Sequence, residues 1–203
     1  MDYLEEYTNK VLSGEIIAGI ELKRMLKRLK RDRESGLYIF DDSMAKMRIA
    51  FMEQFCRQGK KPFYNMPPKL LLWQKAFFTA LYSFYRKNEN GEKSNLRFQK
   101  AMLLVTRKNG KSAMASFDGF TELAIGTGGE QICCGSNDDK QAKLIWGEIG
   151  GFATRFEKKP RRFHKNLSIV RNNFNDNECF RMSSRTRDKD GRQIESHLYR
   201  CVN

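Results

Sequence analysis

Residues 101–112 read AMLLVTRKNGKS, an apolar run that leads directly into a Gly-Lys-Ser turn. A buried strand that ends in such a turn and opens a helix is how P-loop proteins hold nucleotide phosphates, because backbone N–H groups around the turn point at the phosphate oxygens. In that arrangement Lys111 reaches the β/γ-phosphate oxygens and Ser112 ligates Mg²⁺. We therefore predict a strand at 101–106, a phosphate-binding loop, and a helix from about 112 to 125.

The match to the P-loop pattern is incomplete, because Val105 occupies the place of the early glycine. A Gly-Lys-Ser triplet can also be a coincidental surface turn. The context favours a nucleotide site, since the triplet opens the amphipathic stretch SAMASFDGFTELAIG, as a phosphate-binding helix N-terminus requires. The candidate phosphate-binding residues are Arg107, Lys108, Asn109, Gly110, Lys111 and Ser112. A guanidinium at Arg107 is either an ordinary solvent-facing group or one that stabilises charge developing on the γ-phosphate.

The chain is strongly basic: its 203 residues include 38 Lys and Arg against 24 Asp and Glu, a formal charge of +14. This balance favours a polyanionic partner, either nucleic acid or an anionic membrane surface, over a merely solvated basic surface. One basic cluster is a candidate for contacts to a nucleic-acid backbone, although a solvated loop is the alternative: Lys158, Lys159, Arg161, Arg162 and Lys165.

The cysteines lie at positions 56, 133, 134, 179 and 201, and none forms a CxxC pair. With His164 and His197 as the two histidines, a zinc site is not expected. We expect reduced, structural thiols in a cytoplasmic protein. The opening residues MDYLEEYTNK do not resemble a signal peptide, and no apolar run approaches the length of a membrane span.

Residues 1–66 are predicted to form a helical N-terminal region. In GIELKRMLKRLKRDR, Leu22, Met25, Leu26 and Leu29 recur at helical spacing and form one apolar stripe on a strongly basic helix. Such a helix could face a membrane, calmodulin or DNA, or it could pack on the protein with a solvated basic back. A second helix is expected to begin near Asp42 or Ser43.

Pro67-Pro68 marks a boundary, after which residues 67–203 are predicted to form a partial P-loop ATPase domain. An apolar helix (LLLWQKAFFTALYSFY) and a loop (KNENGEKSN) come first. Further strands are expected at 131–136, near 167–171, at 178–183 and at HLYRCVN, and a further helix at 138–155. This strand–helix alternation predicts an α/β fold with a mainly parallel sheet that is flanked by helices.

The loop VTRKNGKS, with arginine in the first half of the loop, resembles the deviant Walker A motif of bacteriophage terminase large subunits, the ATPase motors of DNA packaging. Upstream, LLLWQKAF resembles the Q-motif of this family. Downstream, QICCGSNDDKQAKLIW resembles the strand–turn–helix after the Walker A helix, and YIFDDSMAKMRIAFMEQFC resembles the helical lead-in. The resemblance covers essentially the whole chain.

This resemblance implies ATP and Mg²⁺ as cofactors and an ASCE-type P-loop sheet, in which an extra strand lies between the Walker A and Walker B strands. It implies that Lys111 and Ser112 bind phosphate and Mg²⁺, and that Arg107 acts as an arginine finger. Trp73 would stack near the adenine and Gln74 would hydrogen-bond its edge; the alternative is a buried aromatic residue beside a surface glutamine. The implied partners are double-stranded DNA, the capsid portal and the terminase small subunit, in a homo-oligomeric ring in the cytoplasm of the bacterial host.

The family places a Walker B Asp and a catalytic Glu after a strand that corresponds here to HLYRCVN, and the sequence stops at Asn203. We therefore expect a fragment without the Walker B carboxylates and the nuclease domain, able to bind ATP but deficient in its hydrolysis. Two alternatives remain open from the sequence. One is another P-loop NTPase, such as a helicase-like protein, and the other is a basic nucleic-acid-binding module without ATPase activity.

Overall fold

The computed structural model describes residues 1–136, 139–156, 162–183 and 197–201. The chain forms two compact units, one of residues 1–50 and 69–104 and one of residues 51–68 and 105–203. The first unit thus groups residues 69–104 with the N-terminal helices. A domain boundary at residue 66 stays a prediction. Among the described residues, no helix combines the length and the apolar character needed to cross a membrane.

The first unit combines helices with a small antiparallel sheet. Its elements are α1 (Tyr3–Ser13), α2 (Ile20–Glu34), β1 (Ile39–Phe40), the start of α3 (Ser43–Phe55), α4 (Leu72–Ser83), β2 (Phe84–Lys87) and β3 (Lys93–Leu96). Helix α1 begins where the Asp2 carboxylate accepts the N–H groups of Leu4 and Glu5 at 3.1 and 3.0 Å. It ends at Gly14, whose φ of 90° is the left-handed conformation that glycine adopts without steric cost.

One core cluster of this unit lies between the helices and β2, and its buried members are Leu4, Val11, Leu26, Leu29, Ala76 and Phe84. Helix α2 therefore packs on the protein through Leu26 and Leu29, which confirms the packed-helix interpretation. Met25, predicted on the same stripe, is instead 50% exposed.

Strands β1, β2 and β3 form an antiparallel sheet that the sequence did not predict. The stretch KNENGEKSN, which was predicted as a loop, contains the hairpin turn between β2 and β3, with Gly91 at φ 77°. Strand β3 carries polar, exposed residues at most positions, so it lacks the apolar alternation that would have marked it as a strand.

The second unit contains the end of α3 and a five-stranded sheet with two helices. Its elements are α5 (Lys111–Ile125), β4 (Gln131–Ser136), α6 (Asp139–Phe156), β5 (Phe163–Lys165), β6 (Ile169–Asn172), β7 (Glu178–Ser183) and β8 (His197–Cys201). The strand order is β5-β6-β7-β4-β8. Helices α5 and α6, and strands β4, β6, β7 and β8, lie close to their predicted positions.

The sheet of the second unit is mixed, not mainly parallel as predicted. Strand β4 pairs in parallel with β7 and β8, whereas β6 pairs antiparallel with β5 and β7. The reason is the length of the connections, because the short link from β6 to β7 permits a hairpin and is too short for a parallel crossover. The observed fold is therefore a mixed α/β fold.

Strand β4 runs through the interior of this unit. Its neighbouring residues Cys133 and Cys134 are both fully buried, although side chains alternate between the two faces of a strand. The thiols of Cys56, Cys133, Cys134 and Cys179 are buried and form no disulfide, as expected for structural cysteines. The Cys201 side chain lies outside the described residues.

Residues 101–106 form no strand, which corrects the prediction of a buried strand before the loop. Met102 and Leu104 are 82% and 84% exposed. An apolar composition favours a strand only where a neighbouring strand supplies backbone hydrogen bonds, and no described strand pairs with this segment.

Candidate nucleotide-binding site

The loop before α5 has the backbone conformation of an anion-binding turn. Lys108 and Gly110 both adopt the left-handed region, with φ 70° and 78°. Within α5, the Met114 N–H donates to the Gly110 carbonyl at 2.9 Å, and no side chain caps the start of the helix. Alternating left-handed residues turn successive N–H groups toward one concave side, and the uncapped helix start adds the positive end of its dipole.

Two side chains close this loop on itself. The Asn109 amide donates to the Thr106 carbonyl at 3.3 Å and also contacts the Thr106 hydroxyl. The Lys111 ammonium donates to the Val105 carbonyl at 3.0 Å. The loop is thus shaped by its own residues, and Thr106 is a contributor that the motif itself does not specify.

The loop is open to solvent and uniformly positive. Residues 106–110 and Ser112 are exposed, and Lys111 is half-buried. Among the described residues, no carboxylate pairs with Arg107, Lys108 or Lys111. An anion that enters the loop would therefore meet three cations that no described acid neutralises.

Helix α5 holds the loop on a rigid support. Ser116, one turn into the helix, donates to the Glu148 carboxylate on α6 at 2.7 Å. Phe117 and Phe120 are buried and meet the Phe152 ring of α6 at centroid distances of 5.9 and 5.6 Å. Burial of this many aromatic atoms stabilises the helix by several kcal/mol, on the order of 2 kcal/mol for each ring.

The far end of α5 is capped by asparagines that sequence reasoning missed. The buried Asn177 amide donates to the Glu122 carbonyl at 3.0 Å, and the buried Asn172 amide donates to the Leu123 carbonyl at 2.9 Å. These carbonyls belong to the last turn of the helix, where intrahelical partners run out. The signal was present in NNFNDN, a cluster of residues that favour turns and side-chain-to-backbone hydrogen bonds.

Trp73 and Gln74 lie at the start of α4 in the first unit. The Gln74 side-chain oxygen accepts the Leu71 N–H at 2.9 Å, so this glutamine caps its own helix, and Trp73 is half-buried. The phosphate loop belongs to the second unit. A shared role of Trp73, Gln74 and the loop in one nucleotide site therefore stays a prediction.

The predicted basic cluster lies mostly outside the described residues, which exclude Lys158, Lys159 and Arg161. Its described members contact aromatic rings: the Arg162 guanidinium lies 4.8 Å from the Phe174 ring, and the Lys165 ammonium 5.3 Å from the Trp146 ring. The helix predicted at 138–155 is confirmed, since α6 begins at Asp139 and ends at Phe156.

An uncapped helix start that follows a left-handed, lysine-closed loop is the arrangement at which α/β proteins of the P-loop class bind phosphate groups. The family described as "Terminase large subunit, ATPase domain" matches residues 72–195, a range that includes both the loop and the Trp-Gln segment. The chain therefore belongs to the terminase large subunit ATPase-domain family.

One solved structure, the large terminase of bacteriophage HK97, shares this fold with a TM-score of 0.58 and 23% identity. The match covers 72% of this chain, which spans only 29% of the length of the HK97 protein. No curated protein matches the chain.

Proposed function

We propose that this chain is the ATPase portion of a phage terminase large subunit, the ATP-driven motor that packages DNA into capsids. The observation that carries the proposal is the loop at Gly110, whose left-handed backbone leads into an uncapped α5 inside the region that the family matches. We propose an ASCE-type P-loop arrangement, with β8 as the Walker B strand. The parallel pairing of β8 with β4 supports it.

The loop residues fit a nucleoside triphosphate with Mg²⁺. The N–H groups at the start of α5 would bind phosphate oxygens, and Lys111 would add a charge-assisted hydrogen bond. The Ser112 hydroxyl, which is exposed, would hold Mg²⁺. Bound Mg²⁺ supplies positive charge that neutralises the phosphate oxygens.

Arg107 is the proposed arginine finger. Its side chain is exposed and has no described partner, so it is free to turn toward a bound phosphate. Arginines in this role contribute on the order of 10³–10⁵ in rate. Lys108 and Asn109 are proposed to shape the loop by their backbone conformation and by the bond to Thr106.

Trp73 and Gln74 are proposed to read the adenine. The bond from the Leu71 N–H uses one of the two lone pairs on the Gln74 side-chain oxygen. The second lone pair and the two amide N–H groups of Gln74 take no part in that bond. The glutamine is thereby held in one orientation, and a preorganised amide discriminates adenine from guanine better than a mobile one.

In the complete motor the proposed partners are double-stranded DNA, the portal and the small subunit, in a homo-oligomeric ring in the host cytoplasm. The net charge of +14 supports a polyanionic partner.

The proposal is tested by competing a fluorescent ATP analogue with ATP and with GTP, in the presence of Mg²⁺. ATP is expected to displace the probe at lower concentration than GTP, and Gln74→Ala is expected to abolish that preference. Lack of any nucleotide binding, together with DNA binding unaffected by Lys111→Ala, would instead support a nucleic-acid-binding module without ATPase activity.

A further inference from the structure

The outward face of α2 carries four cations that have no ion-pair partner among the described residues. They are Lys23, Lys27, Lys30 and Arg31. Their spacing of i, i+4, i+7 and i+8 places them on one side of the helix. All are exposed except Lys23, which is half-buried. We call these four residues the α2 basic stripe.

The acidic residues of α2 do not neutralise this stripe. Glu21 pairs with Arg24 at 2.7 Å. Asp32 pairs with Arg97 of the β3 end at 2.7 Å and lies 3.8 Å from Arg28. Glu34, four residues after Lys30, is exposed and makes no ion pair with the stripe among the described residues. Because Glu21 and Asp32 are engaged with other arginines, the positive potential of the stripe is directed toward solvent.

The opposite face of α2 is committed to the core and holds the stripe in place. Leu26 and Leu29 are 2% and 6% exposed, and Arg33 pairs with Asp2 at 2.5 Å. Amphipathic helices that bind membranes or calmodulin need a free apolar face, whereas Leu26 and Leu29 of the α2 apolar face are already buried in the core. Of the binding partners considered for this helix, a polyanion is the one that needs only the charged side of a packed helix.

The geometry of the stripe matches a nucleic-acid backbone. From Lys23 to Arg31 the helix rises by about 12 Å, at about 1.5 Å per residue. A single strand of B-DNA presents one phosphate per ~3.4 Å of axis, so the stripe spans about three to four phosphates. Exposed cations on a rigid helix suit this regular row of charges without any sequence preference.

We propose that the α2 basic stripe contacts the phosphate backbone of double-stranded DNA, and that the first unit thus forms part of the DNA-gripping surface. This inference rests on the proposed packaging function. The proposed contact surface is separate in sequence from the basic cluster around residue 160, because it lies on the N-terminal helices.

The test measures the affinity of the full chain for a random-sequence DNA duplex across a salt series, by fluorescence anisotropy. The stripe variant carries Lys23→Gln, Lys27→Gln and Lys30→Gln. The control carries Lys60→Gln, Lys100→Gln and Lys143→Gln, which remove the same charge from exposed sites elsewhere. Glutamine has nearly the helix propensity of lysine, so α2 is expected to keep its fold, as a thermal melt by circular dichroism would verify.

The stripe variant is expected to reduce the slope of log K against log salt by about 2.7, since each lost phosphate contact removes about 0.9. The control is expected to change the slope by less than about 1. Equal slopes in both variants would overturn the inference. An unchanged salt slope for DNA, together with loss of self-association in sedimentation, would also overturn it and would assign the stripe to a protein partner. If the triple variant unfolds, Lys27→Gln and Lys30→Gln alone are each expected to lower the slope by about 0.9.

Nucleotide binding is measured on the same samples. If the unsubstituted chain binds no ATP analogue, the proposed function fails on that result alone. The slope comparison still decides whether α2 contacts DNA.

Discussion

The Lys111 ammonium donates a hydrogen bond to the carbonyl of Val105 at 3.0 Å, across the loop that the two residues bracket. Val105 takes the position of the early glycine in the full P-loop pattern. The bond uses the backbone carbonyl, so a valine side chain at this position does not prevent it. An ammonium has three donors, and two remain for phosphate oxygens.

Gly110 is expected to tolerate asparagine better than alanine. Its φ of 78° costs an ordinary L-residue about 1–2 kcal/mol, and asparagine bears this conformation more easily than alanine does. Gly110→Ala should therefore weaken binding of a fluorescent ATP analogue about tenfold, and Gly110→Asn clearly less. Equal loss in the two variants would show that the left-handed backbone is not what the site needs.

Asn109→Ala should loosen the loop without destabilising the protein. The substitution removes the hydrogen bond to the Thr106 carbonyl, a contribution of about 1 kcal/mol to the closed loop. We expect about fivefold weaker nucleotide binding at an unchanged melting temperature, because the residue is exposed. Thr106→Val, which retains that carbonyl, should have the smaller effect. A drop in melting temperature that accounts for the whole loss would contradict this role.

Asn177→Ala should destabilise the second unit by about 2–4 kcal/mol, since it removes two hydrogen bonds of a buried amide. That amide donates to the Glu122 carbonyl at 3.0 Å and accepts the Glu130 N–H at 2.8 Å. Asn175→Ala is the comparison and should cost less, because its amide donates only longer bonds of 3.4 and 3.5 Å and its oxygen accepts the Asn177 N–H at 3.2 Å. Urea unfolding gives both values, and equal losses would argue against the capping role.

Stability should fall at alkaline pH because of the buried thiol of Cys56. Burial raises the pKa of this thiol far above its ordinary value. In the unfolded chain the thiol ionises above about pH 8.5, whereas in the folded chain it retains its proton. The contribution of this thiol to the free energy of unfolding is therefore complete below that pH, and it is lost as the pH rises toward the folded pKa. The free energy of unfolding should decrease by up to about 1.4 kcal/mol per pH unit more steeply than in Cys56→Ala. Denaturant titrations of both proteins at several pH values between 8 and 10.5, about the range in which a free thiol ionises, give the slope of unfolding free energy against pH. Equal slopes for the two proteins would contradict the assignment of this pH dependence to Cys56.

Much of the second unit could be predicted because its signals are local. Periodicity located α5 and α6, and the short apolar run of Ile132, Cys133 and Cys134 located β4. The Gly-Lys-Ser turn located the start of α5 to within one residue. Each of these signals depends on residues adjacent in the chain, so no knowledge of distant contacts was needed.

The errors arose where structure depends on distant partners. Residues 101–106 have a strand-like composition but no described neighbour to pair with. Strand β3 is polar yet pairs with β2. Likewise, the NNFNDN cluster indicates side-chain-to-backbone hydrogen bonds, but no local pattern reveals that the partner of Asn177 is a helix end 55 residues earlier in the chain.

The central claim is that the loop before α5 binds ATP, and the most direct test is a titration of fluorescent ATP analogue with Mg²⁺ against the chain and Lys111→Ala. Lys143→Ala, an exposed lysine on α6, is the control. We predict micromolar binding to the unsubstituted chain and the control, and affinity lower by about 10- to 100-fold in Lys111→Ala, as expected for loss of a charged hydrogen bond. Equal binding by all three folded proteins would contradict the account, because the nucleotide would then be held without this loop.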